Sequence, residues 1–417
     1  MRNEKTEKNG RRKDSKGRLL RQNESERKDG RYMYRYTNEQ GKRKAVYSMT
    51  LKELRRKEED ILKDRMDGII SEKGMTMDDI FFTYIDRKHK LKNATICNYR
   101  YLYEHYVRPE LGRRQITGFC YSDICNFYNE LAELGLSANT ISNIHTLLHP
   151  IFDTAVKDRM IRANPTDGAM AEIRQSIDRR EPVRALTQWE QEKLMDFLRD
   201  SKTYGYLVPL FTVLLGTGCR IGEIIGLRWD DLDFEHGIIR IDHNCVYQLH
   251  GDGRAGFHIT SPKTASGRRE IPMISAVREA FYLERRRQIE RGIVNNTVIY
   301  DDEGKPYSGF IFTNRSGGIY NPGTLNRTIR RIIKACNDRE RIEAVWERRE
   351  AVFLSDFSVH QLRHTFCTRF CENESNVKVI QEIMGHADVQ TTLNIYADVT
   401  REKKQEVIGN LEGKLGI

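Results

Sequence analysis

The sequence has no apolar run approaching the roughly 18 residues that a membrane helix needs, so no membrane partner is expected. Its N-terminus is rich in Lys and Arg, but no apolar stretch follows, so it does not read as a secretory signal. The expected location is cytoplasmic. No CxxC pair occurs among the cysteines, which are Cys97, Cys120, Cys125, Cys219, Cys245, Cys336, Cys367 and Cys371. Cys367 and Cys371 lie one helical turn apart beside Phe366 and Phe370. They read as small core residues of a reducing compartment, not as a disulfide framework. No internal repeat is evident. There is also no carboxylate cluster suited to two-metal phosphoryl chemistry. His360 and His364 have the spacing of an HExxH zinc site, but Gln361 stands where its glutamate base belongs, and no third ligand of comparable quality is present. No metal and no cofactor are expected.

What the chain does have is length and an uneven basic charge. Its 417 residues suggest two or three domains, and 38% apolar with 31% charged residues indicates a polar, globular protein. The net charge is +10, and residues 1–50 hold 16 Lys/Arg against 7 Asp/Glu. The remainder is balanced at 54 against 53. A basic module on a neutral body points to nucleic acid or another anionic surface, the alternative being a solvated basic tail.

The expected fold is multidomain α+β. Residues 1 to about 28 read as polar and mobile. Arg31 to Tyr36 alternates with a period of two, as a strand does, and Lys42 to Ser48 reads as the returning strand. Thr50 with Glu53 predicts a capping box opening a helix from Leu51 to about Met66. After a linker at Gly68–Gly74, the pattern is helical from Thr76 to about Ala163, with Thr95 and Ser137 as caps. Pro109 to Gly112 and Asn164-Pro165 read as breaks. The polar stretch Arg174–Arg184 reads as a second linker. Thr187 then opens the largest unit, mainly α with a small antiparallel sheet. Ile238–Asp242, Phe257–Lys263 and Arg268–Met273 read as strands, the last two joined as a hairpin at Ser266-Gly267. The boundaries are 1–70, 75–170, a linker at 171–186, 187–400, and a tail helix at 401–417.

Cationic and imidazole side chains, with one tyrosine, are scattered through the large unit: Arg220, Lys263, His360, Arg363, His386 and Tyr396. Such a set suits a phosphodiester. Arginines and histidines can hold non-bridging oxygens, and a hydroxyl can attack phosphorus. Arg220 follows a glycine-broken turn and opens a helix, whose outward N–H groups favour an anion. Glu223 shares its face and could fix a neighbouring cation. Lys263, at the tip of a strand, could protonate a leaving oxygen. His360 and Arg363 are three apart on a helix that Ser358 can cap. Gly385 suits the C-terminus of the preceding helix, and His386 follows. Each residue alone reads as an ordinary ion pair, a solvated lysine or a packed tyrosine; their order gives them weight.

The segment Thr187–Val399 resembles the catalytic domain of tyrosine recombinases, the lambda-integrase-like group. The matching strings are Leu214 to Glu223, Pro262-Lys263-Thr264, His360-Gln361-Leu362-Arg363-His364-Thr365, Met384-Gly385-His386 and Asn394-Ile395-Tyr396. Met384 stands where the family usually has leucine, a packing change. The middle region resembles the family's helical core-binding domain. The first 70 residues resemble the arm-binding domain of Tn916-type conjugative-transposon integrases.

The resemblance implies a site-specific recombinase that integrates and excises DNA without metal or ATP. Tyr396 would attack a phosphate to give a 3′-phosphotyrosine and a free 5′-hydroxyl. Arg220 and Arg363 would bind the non-bridging oxygens, and guanidinium suits that fork better than ammonium. His386 would add a hydrogen bond, Lys263 would protonate the leaving oxygen, His360 would assist proton transfer at Tyr396, and Glu223 would support the site. The implied partners are double-stranded DNA at core and arm sites, a homotetramer on that DNA, and a small basic directionality factor (an excisionase). Arg31, Arg35, Lys42, Arg43 and Lys44 are the candidates for arm contact. Tyr32, Tyr34 and Tyr36 either join them or form the module's core. Val407, Ile408 and Leu411 would let the tail dock on a neighbouring protomer. Rival readings are a type IB topoisomerase-like enzyme, a non-catalytic decayed integrase and a metal-dependent nuclease.

Overall fold

The structure, a computed structural model, describes residues 12–37, 41–66, 68, 74–88, 91, 93–176, 184–249, 255–262, 264–292, 295–314 and 316–397. The chain divides into two compact units, Met1–Arg180 and Glu181–Ile417.

The first unit opens with an antiparallel sheet of β1 (Glu24–Glu26), β2 (Tyr32–Thr37) and β3 (Arg43–Ser48). The alternation of β2 puts Tyr32, Tyr34 and Tyr36 on one face. Helix α1 (Leu51–Met66) packs there, and Tyr32, Tyr34, Leu51 and Leu54 form the buried centre, with Tyr36 at its margin. The tyrosines therefore build the core of this module. Residues 12–28, expected to be mobile, are ordered around two buried acids. Asp14 accepts hydrogen bonds from Arg18 Nε (2.8 Å) and the Tyr32 hydroxyl (3.0 Å). Glu24 pairs with Arg55 Nε at 3.0 Å and accepts from Arg21 N at 2.6 Å. Buried carboxylates persist only when matched in this way. Their polarity is what disguises β1 in the sequence. At the start of α1, Glu53 N donates to Thr50 Oγ1 (3.3 Å), but the Glu53 carboxylate accepts from Ser48 Oγ (2.6 Å), so half of the expected box forms and the other half ties the helix to β3.

The same unit contains α2 (Met77–Asp86), α3 (Asn93–Leu102), α4 (Arg108–Leu111), α5 (Tyr121–Glu133), α6 (Ala138–Lys157) and α7 (Ala169–Ser176). Thr76 and Asp79 form a reciprocal box on α2, and Ser137 caps α6. Thr95 lies inside α3, which begins at Asn93, so it does not cap that helix. The helix ends within the stretch Pro109 to Gly112 as expected, but at its far end: α4 stops at Leu111 with Gly112 as its cap, not at the proline. A π-helical turn, Tyr103–Val107, leads from α3 into α4 without interruption, and the proline follows just past that turn. The stripe of Ile141, Ile144, Leu147, Leu148, Ile151 and Phe152 is buried along α6. The Phe81 and Tyr103 rings stack with centroids 3.6 Å apart, and the Tyr103 hydroxyl donates to Asp78 Oδ1 at 2.7 Å. Helix α7 continues to Ser176, into the stretch expected as a linker.

The second unit is mainly helical: α8 (Gln188–Asp200), α9 (Val208–Thr217), α10 (Ile221–Gly226), α11 (Ser275–Glu290), α12 (Pro322–Glu347), α13 (Val359–Asn373) and α14 (Val377–Met384). Residues 389–397 are also helical. Thr187 and Glu190 close a box on α8. One core runs from Leu186 to Leu362 and includes Phe211, Phe281, Phe310 and Phe312. Strands β4 (Leu232–Asp233), β5 (Ile238–Ile241) and β8 (Arg269–Pro272) form one antiparallel sheet. Strands β6 (Asn244–Leu249) and β7 (Ala255–Thr260) form a separate hairpin, and β9 (Ile299–Tyr300) pairs with β10 (Pro306–Tyr307). The expected hairpin at Ser266-Gly267 is therefore wrong. A short 3₁₀ turn at Ala265–Gly267 carries the chain to β8, which pairs with β5, putting Ile271 opposite Ile239 and Arg269 opposite Ile241.

Phe81→Ala should destabilise the first unit by about 3–5 kcal/mol, because a fully buried ring and its stacking partner are lost together. Urea unfolding of the full chain, followed by circular dichroism, measures it.

Candidate active site

The site begins where α9 stops. Gly218 adopts φ +62°, and a Cβ there would fall 2.3 Å from Phe366 Cδ1, so only glycine ends this helix. The chain then extends through Cys219 to Arg220, the residue that caps α10. The N-terminus of α10 is not open to an anion as expected. Arg220 N donates to Glu223 Oε2 (2.8 Å) and Arg220 Nη1 donates to Glu223 Oε1 (2.9 Å). The carboxylate occupies the position and holds the arginine.

Helix α14 ends at Gly385, again left-handed with φ +64°. Its last carbonyls are taken by three arginines from three different elements. Arg269 Nε of β8 donates to Ile383 O at 2.7 Å, Arg363 Nη2 of α13 to Met384 O at 2.6 Å, and Arg220 Nη2 to Gly385 O at 2.9 Å. The negative end of a helix dipole favours cations here. Arg363 Nη1 also donates to Gly218 O (2.7 Å), which ties α13 to the end of α9. Arg269 donates to both oxygens of Glu223, at 3.1 and 2.9 Å, and the two side chains are 5% and 4% exposed.

Arg220, His360, Arg363, His364, Cys367 and His386 line one cleft of about 310 Å³, closed by Asp388, Thr391 and Ile395. Burial lowers the Arg363 pKa to about 10, and neighbouring Arg220 adds to the effect. Burial, then Arg363 and Arg220, lower His386 to about 4. His360 is lowered by burial, His364 and the same arginines, and His364 by burial and Arg363. Burial raises Glu223, but the hydrogen bonds and charge of Arg269 outweigh it and hold the carboxyl below its usual range. At neutral pH the cleft therefore carries fixed guanidinium charge and neutral imidazoles. His386 Nδ1 meets Thr392 Oγ1 at 2.9 Å, which leaves Nε2 for the cleft.

Of the residues singled out from sequence, Arg220, His360, Arg363 and His386 come together in this cleft, and Glu223 lies beneath Arg220. Tyr396 is on the helical segment whose Thr391 and Ile395 face the cleft, but its half-buried ring packs against the cluster of Cys367, Cys371, Ile380 and Met384. Lys263 and the tail residues Val407, Ile408 and Leu411 lie outside the described residues. In the first unit, Arg31, Arg35, Lys42, Arg43 and Lys44 are exposed, and Arg31 pairs with Asp29 at 2.8 Å. Sequence reading missed Arg269. The signal was there in strand alternation, since Arg269 shares a face with buried Ile271. Asp231, Asp242 and His243 lie close enough to hold a metal, but Asp231 is paired with Arg228, and the His243 nitrogens face Asp242 and the Gly226 carbonyl.

Residues 184–403 match the model of the phage integrase family, and residues 8–65 match the DNA binding domain of Tn916 integrase. The transposase of transposon Tn916 from Enterococcus faecalis is 33% identical over 403 residues, covering 93% of this chain and 94% of that protein. The chain belongs to the phage integrase family. This family of tyrosine recombinases cleaves and rejoins DNA, and the chain is a recombinase of the Tn916 type. The Tn1549 transposon integrase, solved in complex with a circular intermediate DNA, superposes with a TM-score of 0.67 at 30% identity, covering 80% of this chain and 99% of that one. Lambda integrase bound to a core site, at 16% identity and a TM-score of 0.54, shares the fold.

The lowered imidazole pKa values contribute to the recombinase's acid sensitivity. An unfolded histidine takes its proton near pH 6.5, whereas folded His386 refuses it until about 4, so the His386 contribution to stability falls as pH drops through that window, while Glu284, which burial raises to about 7, contributes in the opposite sense. The difference in denaturation midpoint between the parent and His386→Phe should shrink as pH falls from about 6.5 to about 4, and a difference that does not change with pH would contradict the assignment. Imidazole ¹⁵N shifts should show His386 neutral until the lower limit.

Proposed function

We propose that this recombinase integrates and excises a mobile DNA element through a 3′-phosphotyrosine on Tyr396, without metal or ATP. The observation that carries this reading is the convergence of Arg220, Arg363 and His386 on one cleft whose wall includes the Tyr396 helix. Arg220 is anchored through its two terminal nitrogens by Glu223 and the Gly385 carbonyl, and Arg363 through its two by the Gly218 and Met384 carbonyls. The second N–H of each terminal nitrogen is therefore the donor offered to the non-bridging oxygens of a scissile phosphate. The Nε2 of His386 donates a further hydrogen bond. Neutral His360 accepts the phenolic proton as the Tyr396 oxygen bonds to phosphorus and the 5′-oxygen leaves. Lys263 supplies the proton to that oxygen. Among the described residues, Asp388 is the one carboxylate lining the cleft, which favours phosphate held by cations over metal ligation.

The same reading assigns residues 1–70 to arm DNA, with Arg31, Arg35, Lys42, Arg43 and Lys44 in contact, and residues 75–170 with 187–400 to core DNA. Lambda integrase has been seen as a tetramer on a Holliday junction, and the working form here is likewise a tetramer on DNA. A small basic factor sets the direction of excision.

On a nicked suicide duplex, in EDTA, the parent should form a covalent protein–DNA adduct and Tyr396→Phe should form none. Arg220→Ala and Arg363→Ala should each slow adduct formation by about 10²–10³-fold. Denaturing gels of labelled DNA read all four. Cleavage that EDTA abolishes, or an adduct formed by Tyr396→Phe, would contradict the assignment.

A further inference from the structure

We propose that Arg269 is a positioning residue for strand cleavage: through Glu223 and the Ile383 carbonyl it fixes Arg220 and the end of α14 from which His386 projects. This rests on the reading that the cleft cleaves DNA.

The geometry gives Arg269 two tasks. Its Nη1 and Nη2 hold both oxygens of Glu223, and the same carboxylate holds the backbone and guanidinium of Arg220. Its Nε holds Ile383 O, one residue before the carbonyl that Arg363 uses and two before the one Arg220 uses. Glu223 and Arg269 are both nearly fully buried, so neither side chain touches bulk water. A buried carboxylate that loses its cation takes up a proton instead. The groups facing Glu223 are Arg220 from its own helix, Arg269 from β8, Arg363 from α13 and the Cys219 thiol. Of these, Arg269 contributes most to keeping the carboxyl ionised. Without Arg269, burial pushes Glu223 toward its neutral form, its grip on Arg220 weakens, and the terminal turn of α14 loses one of its three anchors. Small displacements of a charged group at a reacting phosphate cost about 10²-fold in rate.

The test is single-turnover adduct formation at saturating protein on the nicked suicide duplex, from about pH 6 to about pH 9. DNA affinity is measured by fluorescence anisotropy and folding by thermal melts. The parent should be level over this range. Arg269→Gln should be slower by about 10²-fold at the acid end and recover as pH rises and Glu223 ionises again. Arg269→Lys, which keeps the charge, should restore a level profile. The double variant Arg269→Met/Glu223→Gln removes both buried charges together, so it should fold and bind DNA, yet be slow at every pH. An Arg269→Gln profile that is level, or a double variant with the parental rate, overturns the proposal while leaving the recombinase reading intact. A parent that forms no adduct on bound DNA overturns both.

Discussion

Everything in the candidate site hangs on the carbonyl end of one short helix. Three guanidiniums gather there with a single compensating carboxylate, an arrangement that like-charge repulsion opposes in the absence of DNA. The terminal carbonyls of α14 supply the missing negative potential, each from a residue left without an intrahelical partner. Two glycines make this possible. Gly218 turns the end of α9 so that its carbonyl meets Arg363, and Gly385 turns the end of α14 so that its carbonyl meets Arg220. Both take backbone angles that an L side chain rarely adopts.

The surrounding electrostatics follow from this assembly. Burial of the imidazoles themselves, and then the charge of the neighbouring arginines, lowers their affinity for protons, so the histidines of the cleft stay neutral where exposed ones would begin to charge. Neutral imidazole can accept a proton from one group and donate a hydrogen bond to another, which phosphoryl transfer to a hydroxyl needs. Guanidinium, even with its proton affinity reduced, remains charged at neutral pH. The cleft thus separates fixed charge from transferable protons between two side-chain types.

Much of this was legible in the sequence because it is local. The α6 stripe follows from the apolar period of 3.6, and the serine and threonine caps at Ser137 and Thr187 follow from short spacings. Arg220, His360, Arg363 and His386 stood out through the order of their strings, although only the folded chain shows that they share a cleft. What escaped was non-local. The polar strand β1 depends on Glu24 finding Arg55, 31 residues away. The partner of β8 is β5 and not the nearer β7, because pairing is decided by burial of Ile239 and Ile271. Arg269 looks like any basic residue beside Arg268 until Glu223, 46 positions earlier, is placed against it.

The carbonyl end of α14 assembles the arginine cluster before DNA arrives. Such preassembly is tested most directly by ¹⁵N relaxation of the arginine Nε–H groups in the DNA-free protein. Arg269 and Arg363 should be as rigid as the backbone and exchange their protons slowly, while Arg330, exposed on α12, moves freely. Side chains of Arg269 and Arg363 as mobile as Arg330, ordering only when DNA is added, would contradict it.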